Sequence, residues 1–286
     1  MDSKVVKEVA IWIGVAALVC AGLSYPPIGA KVSQLFNNTR HAITSPKQDI
    51  KVLRKLELST IDALAELFEN DARSSVAVNH SMVGVYSEEE KRPYAGIMLT
   101  TDGLILTTTY ATTAFSGKDF SRIYVVDNTG QTYKTGEVRI PCEIIAKDPV
   151  NLLALVYVPI GMIAEPAPVP LYRGEILGKE VVLIQSNGQI TYTQPAEVVE
   201  TGISNIMFGN SFGNNLFELK LQVPSEKVDT GFVTIKDNNE DKLAGIIVSQ
   251  LVEKNSEGNA RETRVLAAGI DQIEALAKMA IQYSKQ

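Results

Sequence analysis

Beyond Ser74 the chain breaks into short runs rich in Val, Ile, Thr and Tyr, each closed by turn residues, and this pattern limits the fold most strongly. The first set reads SSVAVNHSMVGVYS, YAGIMLTT, LILTTTY, RIYVVDNTGQTYKTGEVRI, CEIIAKD and LLALVYVPI. After a proline-rich link, AEPAPVP, come KEVVLIQSNGQITYTQPAEVVETG, NLFELKLQV, GFVTIKD and KLAGIIVSQLVE. β-Branched and aromatic residues suit a pleated surface, and Gly, Asn, Asp and Pro supply the turns, so about a dozen strands are expected. Regular spacing of this kind predicts an all-β barrel or sandwich, and the link divides it into halves of similar length. Two helices flank the strands. Ser59 with Asp62 resembles a capping box, and Ile61, Leu64, Leu67 and Phe68 then share one face. At the other end Ile270, Ile273, Leu276, Ala280 and Tyr283 form a stripe that should pack onto the strands.

The chain has 286 residues, enough for one large domain or two small ones. With 45% hydrophobic and 21% charged residues it can build a core and is no disordered polymer. A net charge of −6 and a pI near 5.2 argue against a phosphate-binding surface, since nucleic-acid affinity rests on dense Lys and Arg. Cys20 lies in an apolar run and Cys142 in a strand-like run, so neither a disulfide nor a metal site is expected, and no cofactor motif is present. His41 and His80 are the only imidazoles. His80 falls within an alternating strand run and reads as structural, while His41 reads as solvated in a polar connector.

From Val9 to Ala30 there is no charge. A helix over Val9–Leu23 would be about 22 Å long, short against a hydrocarbon layer of about 30 Å. Ser24, Tyr25 and the preceding turn extend it to a span, with Trp12 and Tyr25 as interface residues, before Pro26 and Pro27 end it. Residues 1–30 therefore read as an uncleaved single-pass membrane anchor. A signal peptide cut near Ala30 and a buried helix are the alternatives, and the bulk of Val19 argues against a lipid on Cys20. Lys4 and Lys7 before the run balance Lys31 and Arg40 after it, so charge does not choose the orientation. Residues 31–56 form a polar connector, and residues 57–286 hold the folded domain.

Four segments resemble the HtrA/Deg branch of the trypsin-like serine proteases, in the family's order. AGIMLTTDGLILTTTYA is similar to the stretch that carries the family's histidine and keeps Gly96, Asp102, Gly103, Ile105, Leu106 and Thr107. KDPVNLLALVYV is similar to the aspartate segment, keeping Asp148, Pro149, Leu153, Ala154 and Leu155. LYRGEILGKEVVLIQSNGQITYTQPAEVVETG and RVLAAGIDQIEALAKMA resemble the segment opening the second half and the closing segment. The resemblance implies two six-stranded β-barrels with a C-terminal helix, in a chain without room for the family's peptide-binding PDZ module.

Under that resemblance the catalytic positions are changed. Tyr110 stands where the family has its histidine, Leu152 where it has its aspartate and Thr230 where it has its serine. A triad works because neutral imidazole takes the hydroxyl proton while a carboxylate holds the tautomer and stabilises the imidazolium. A phenol is protonated at neutral pH, and leucine can neither accept a hydrogen bond nor counter a charge. Thr230 keeps a hydroxyl without a base beside it. Val228 replaces the glycine of the oxyanion hole, and Phe232 replaces another glycine near the nucleophile and could fill the former site with core. Losing a triad costs on the order of a millionfold in rate.

The expected reading is a membrane-anchored, catalytically inactive protease homologue, a pseudoprotease, that binds or scaffolds a protein or peptide through a barrel edge around DKLAGIIVSQL. The resemblance also implies homo-oligomers and an extracytoplasmic position for the barrels. The alternative is an active serine-type endopeptidase or other hydrolase with a rearranged site using Thr230, or using Ser225 with Lys227 in QVPSEKVDTGFV. A purely structural role, with no peptide cleft, is the third.

Overall fold

The computed structural model describes residues 50–69, 81–88, 93–114, 118–120, 122–127, 140–158, 169–186, 191–204, 206–208, 211–225, 227–228 and 230–286. The expected anchor, most of the connector, Cys20, His41, His80 and Asp229 lie outside them. Among the described residues no helix is long and apolar enough to cross a membrane.

The first half runs β1 (Lys51–Val52), α1 (Leu58–Glu69), β2 (Met82–Ser87), β3 (Tyr94–Met98), β4 (Leu104–Thr108), a 3-10 turn (Thr109–Ala111), β5 (Ile123–Asp127), β6 (Ile140–Asp148) and β7 (Leu153–Tyr157). Its strands pair in the order β2-β3-β4-β7-β6-β5, and β5 returns to β2 to close a six-stranded ring, with β1 added against β6. The second half runs β8 (Glu180–Ser186), β9 (Thr191–Ile203), β10 (Ile206–Phe208), β11 (Ser211–Gly213), β12 (Leu216–Leu221), β13 (Gly231–Asp237), β14 (Glu240–Lys254), β15 (Ala260–Gly269) and α2 (Ile270–Ser284). It closes as β8-β9-β12-β15-β14-β13, leaving β10 and β11 as a separate hairpin. Numbered within each ring, both follow the order first, second, third, sixth, fifth, fourth. The same path is folded twice, as the two strand-rich halves of the sequence suggest.

Each ring has its own interior. Val83, Val85, Ile105, Val125 and Val156 fill the first, and Leu183, Val198, Phe217, Leu219 and Val233 the second. A third cluster forms the seam between rings, where Leu104, Leu106, Leu153 and Leu155 meet Ile184, Phe232, Leu243 and Ile246. Strands at the seam are buried on both faces, which is why LIL of β4 and LLALV at β7 are continuous apolar runs rather than alternating ones.

In α1 the stripe of Ile61, Leu64, Leu67 and Phe68 is buried as expected. Its start is not the Ser59–Asp62 box. The carbonyl of Glu57 accepts the Ile61 N–H (3.0 Å), so Glu57 holds the N-cap and Ser59 falls inside the first turn. In α2, Ile270, Ile273, Leu276 and Ala280 are buried against β6, β7, β14 and β15, with Ala277 beside them. Tyr283 departs from the expected stripe. It sits in the last turn and stays 42% exposed.

Two features brace the β3–β4 turn. Gly103 has φ +104°, and a Cβ there would lie 2.1 Å from the Val158 carbonyl oxygen, so glycine is required. The buried carboxylate of Asp102 accepts the hydroxyls of Thr60 and Thr100, tying α1 to the turn. The family-like Asp102-Gly103 pair thus has a local structural cause.

Candidate functional site

The three positions that the resemblance marks lie after β4, just before β7 and in the loop before β13, and are linked through backbone and ring contacts of their neighbours. Tyr110 occupies the 3-10 turn after β4. That turn is held by Thr109, whose N–H bonds the Leu152 carbonyl (2.8 Å), and by Thr112, whose N–H and hydroxyl both bond the Thr109 carbonyl. The Tyr110 ring stacks on Tyr94 with centroids 6.4 Å apart and planes inclined by 23°. Burial pushes the Tyr110 phenol above its ordinary pKa, although 39% of the residue stays exposed, so even less of it is ionised at neutral pH than of a free phenol.

Leu152 has φ +60°, a left-handed backbone that costs a non-glycine residue roughly 1–2 kcal/mol. Its side chain is buried in the seam cluster. The turn before it is built by Asp148, whose fully buried carboxylate accepts the N–H groups of Val150 and Asn151 (3.0 and 3.1 Å) and the side-chain amide of Asn151 (2.7 Å). That carboxylate, four residues from Leu152, is therefore engaged in shaping the chain and not in orienting a base. The Asn151 side-chain oxygen reaches the second ring, accepting the Asn214 N–H at 3.2 Å.

Thr230 is linked to the first ring through β3. Its Oγ1 accepts the N–H of Ala95, next to Tyr94, at 2.8 Å, and the Thr107 hydroxyl donates to the Ala95 carbonyl at 2.9 Å. The β3–β4 pairing register covers Ile97 and Met98, and at Ala95 these two threonine side chains take the backbone groups instead. The Thr230 hydroxyl is thus a splice between the rings. Removing it leaves a partly buried N–H unsatisfied. Thr230→Ala is expected to lower the unfolding free energy by about 1–2 kcal/mol in urea titrations, and Thr230→Ser to restore most of it. Equal stability of wild type and Thr230→Ala would show that the splice carries no weight.

The residues around Thr230 are also structural. A Cβ on Gly231 would lie 2.2 Å from the Ile184 carbonyl oxygen, so this glycine permits β13 to approach β8. Phe232 is completely buried in the seam. Val228 packs its side chain against the interior of the second ring, and its N–H donates to the side-chain oxygen of Gln250 on β14. Ser225 donates its hydroxyl to the Lys227 carbonyl (2.6 Å) and accepts the Lys227 N–H (3.4 Å), the geometry of a local turn. Its backbone N–H and carbonyl both bond the Thr263 hydroxyl of β15.

Tyr94, Ala95, Asn151 and Gln250 were not singled out by sequence reasoning, and Thr107 was noted only as a residue the family-like stretch keeps. Their roles depend on partners far along the chain, 135 positions away for Ala95 and Thr230, and no local spacing signals them. Among the described residues no group of three or more His, Cys, Asp or Glu side chains could hold a metal.

This double-ring architecture is that of the HtrA-type, trypsin-like serine proteases. Among solved structures, the HtrA-type protease AlgW with a tripeptide matches at TM-score 0.53 and 13% identity, over 78% of this chain and 64% of that one. The same protease with a decapeptide matches at TM-score 0.51 and 11% identity, over 78% and 68%. The MamO protease domain from Magnetospirillum magneticum, in its apo form, matches at TM-score 0.49 and 17% identity, over 70% of this chain and 96% of that domain. No protein-family model and no curated protein sequence matches the chain. At these identities the likeness is one of fold.

Proposed function

We propose that this chain is a catalytically inactive homologue of HtrA-type proteases that holds a protein segment in extended form. The observation that carries the proposal is the bond from the Ala95 N–H to the Thr230 hydroxyl, which commits the nucleophile position to joining the rings. The raised phenol pKa of Tyr110 and the burial of Leu152 in an apolar cluster support it. Both leave that hydroxyl without a base or an orienting carboxylate from the positions that supply them in the fold family.

Binding does not need those groups. β13 pairs with β14 only as far as Ile246, whereas β15 accompanies β14 to Lys254. Among the described strands none covers the other edge of β14 beyond Ile246, and Leu251 there is 58% exposed. An extended segment added along that edge would gain main-chain hydrogen bonds, with side-chain contacts every second residue. The apolar run over residues 1–30 is proposed to tether the chain to a membrane, with the rings extracytoplasmic and assembled as homo-oligomers; this part rests on the sequence and the family resemblance.

The test is to incubate the purified chain with a fluorophosphonate serine-hydrolase probe and, separately, to cross-link it to its neighbours in native membranes. No covalent labelling and recovery of an uncleaved protein partner are expected. Labelling that disappears in Thr230→Ala or Ser225→Ala would overturn the proposal in favour of a rearranged hydrolase.

A further inference from the structure

We infer that Gln250 is a built-in occupant of the groove between β14 and the loop before β13, an internal amide that stands where a bound peptide carbonyl would be received. The inference rests on the peptide-binding reading above and names the regulation of that same site.

Three observations carry it. The Val228 N–H is two residues before Thr230, at the loop's approach to the seam, and its acceptor is the side-chain oxygen of Gln250. Gln250 lies on the stretch of β14 that has β15 on one side and no strand on the other. A segment added to that edge beside Gln250 would therefore run past the Val228 N–H, and a primary amide oxygen presents the same acceptor chemistry as a peptide carbonyl. The loop is also fixed from both sides. Val228 packs its side chain into the second ring's interior, and Ser225 is held through both backbone groups by Thr263 of β15. Two side chains from one hairpin, Gln250 and Thr263, thus hold the Val228 N–H and both backbone groups of Ser225.

A donor already satisfied by an intramolecular acceptor is lost to an outside one until that acceptor moves away. The Gln250 side chain is exposed, so it can leave without disturbing the core. Binding then becomes an exchange of one amide oxygen for another, and the affinity for an extended peptide is lowered by the closed fraction of the groove.

The test compares the full-length chain with Gln250→Ala and Gln250→Glu. Two readouts are used: amide hydrogen exchange of the fragment spanning residues 227–231, and fluorescence anisotropy with a fluorescein-labelled decapeptide of alternating Val and Ser. Gln250→Ala should exchange about tenfold faster at Val228 and bind the decapeptide about five- to tenfold more tightly, the scale of one hydrogen bond. Gln250→Glu, whose carboxylate is the stronger acceptor, should exchange no faster than wild type and bind more weakly. Unchanged exchange in Gln250→Ala overturns the inference. Faster exchange with equal decapeptide affinity for all three proteins also overturns it, while leaving peptide binding intact. Faster exchange with no decapeptide binding by any of the three proteins overturns the peptide-binding reading, and Gln250 is then only a brace for the loop.

Discussion

The triple variant Tyr110→His, Leu152→Asp, Thr230→Ser, which writes the side chains of a protease triad at the positions the resemblance marks, should stay unreactive toward a fluorophosphonate and fold much less stably than wild type. The cost comes mainly from Leu152, whose side chain lies in the apolar seam. An aspartate there places a carboxylate among leucines, and an uncompensated buried charge costs about 3–5 kcal/mol. The carboxyl would answer by taking up a proton, which defeats its use as an orienting anion. The new serine would keep the splice to Ala95, so its oxygen remains an acceptor for that N–H. The Val228 N–H remains engaged by Gln250. Introducing the three side chains therefore does not free the surrounding donors. Urea unfolding with covalent labelling checks both halves, and a burst of acylation in a stable triple variant would refute this account.

Phe232→Ala should cost about 3–5 kcal/mol, the scale for emptying a buried aromatic site. Phe232 is completely buried and packs in the cluster shared by the rings and both helices. It stands where the resemblance places a glycine near the nucleophile, so the same substitution tests whether this side chain has converted site into core. Chemical denaturation measures the loss. A change below about 1 kcal/mol would mean that the ring fills no space the fold depends on.

Much of the architecture was readable from local pattern. Short β-branched runs between turn residues announced two strand-rich halves, and the 3.6-residue stripes of Ile61 to Phe68 and Ile270 to Ala280 announced the helices. Local pattern was weaker at element ends. Ser59 looked like a cap because its spacing to Asp62 is right, yet the first bond of α1 closes on Glu57. Tyr283 kept the helical spacing of its stripe, but the last turn of α2 leaves it exposed.

In the sequence the site could be read only through the resemblance, which places Tyr110, Leu152 and Thr230 at the family's triad positions by segment order. That Tyr110 stacks on Tyr94, that Leu152 adopts a left-handed backbone, and that Thr230 receives the Ala95 N–H are facts of strand register and of contact between rings. Gln250 illustrates the limit. It reads as one polar residue in a strand, and only the path of the loop before β13 makes it an acceptor for Val228.

The sequence by itself determined which segments are strands, which are helices and which proton-handling side chains are missing from the positions the family resemblance marks, because propensity, periodicity and side-chain chemistry are local. The tertiary structure decided what the replacements do. Burial, backbone strain and hydrogen-bond partners at the seam exist only once two rings, folded along the same path, are brought face to face.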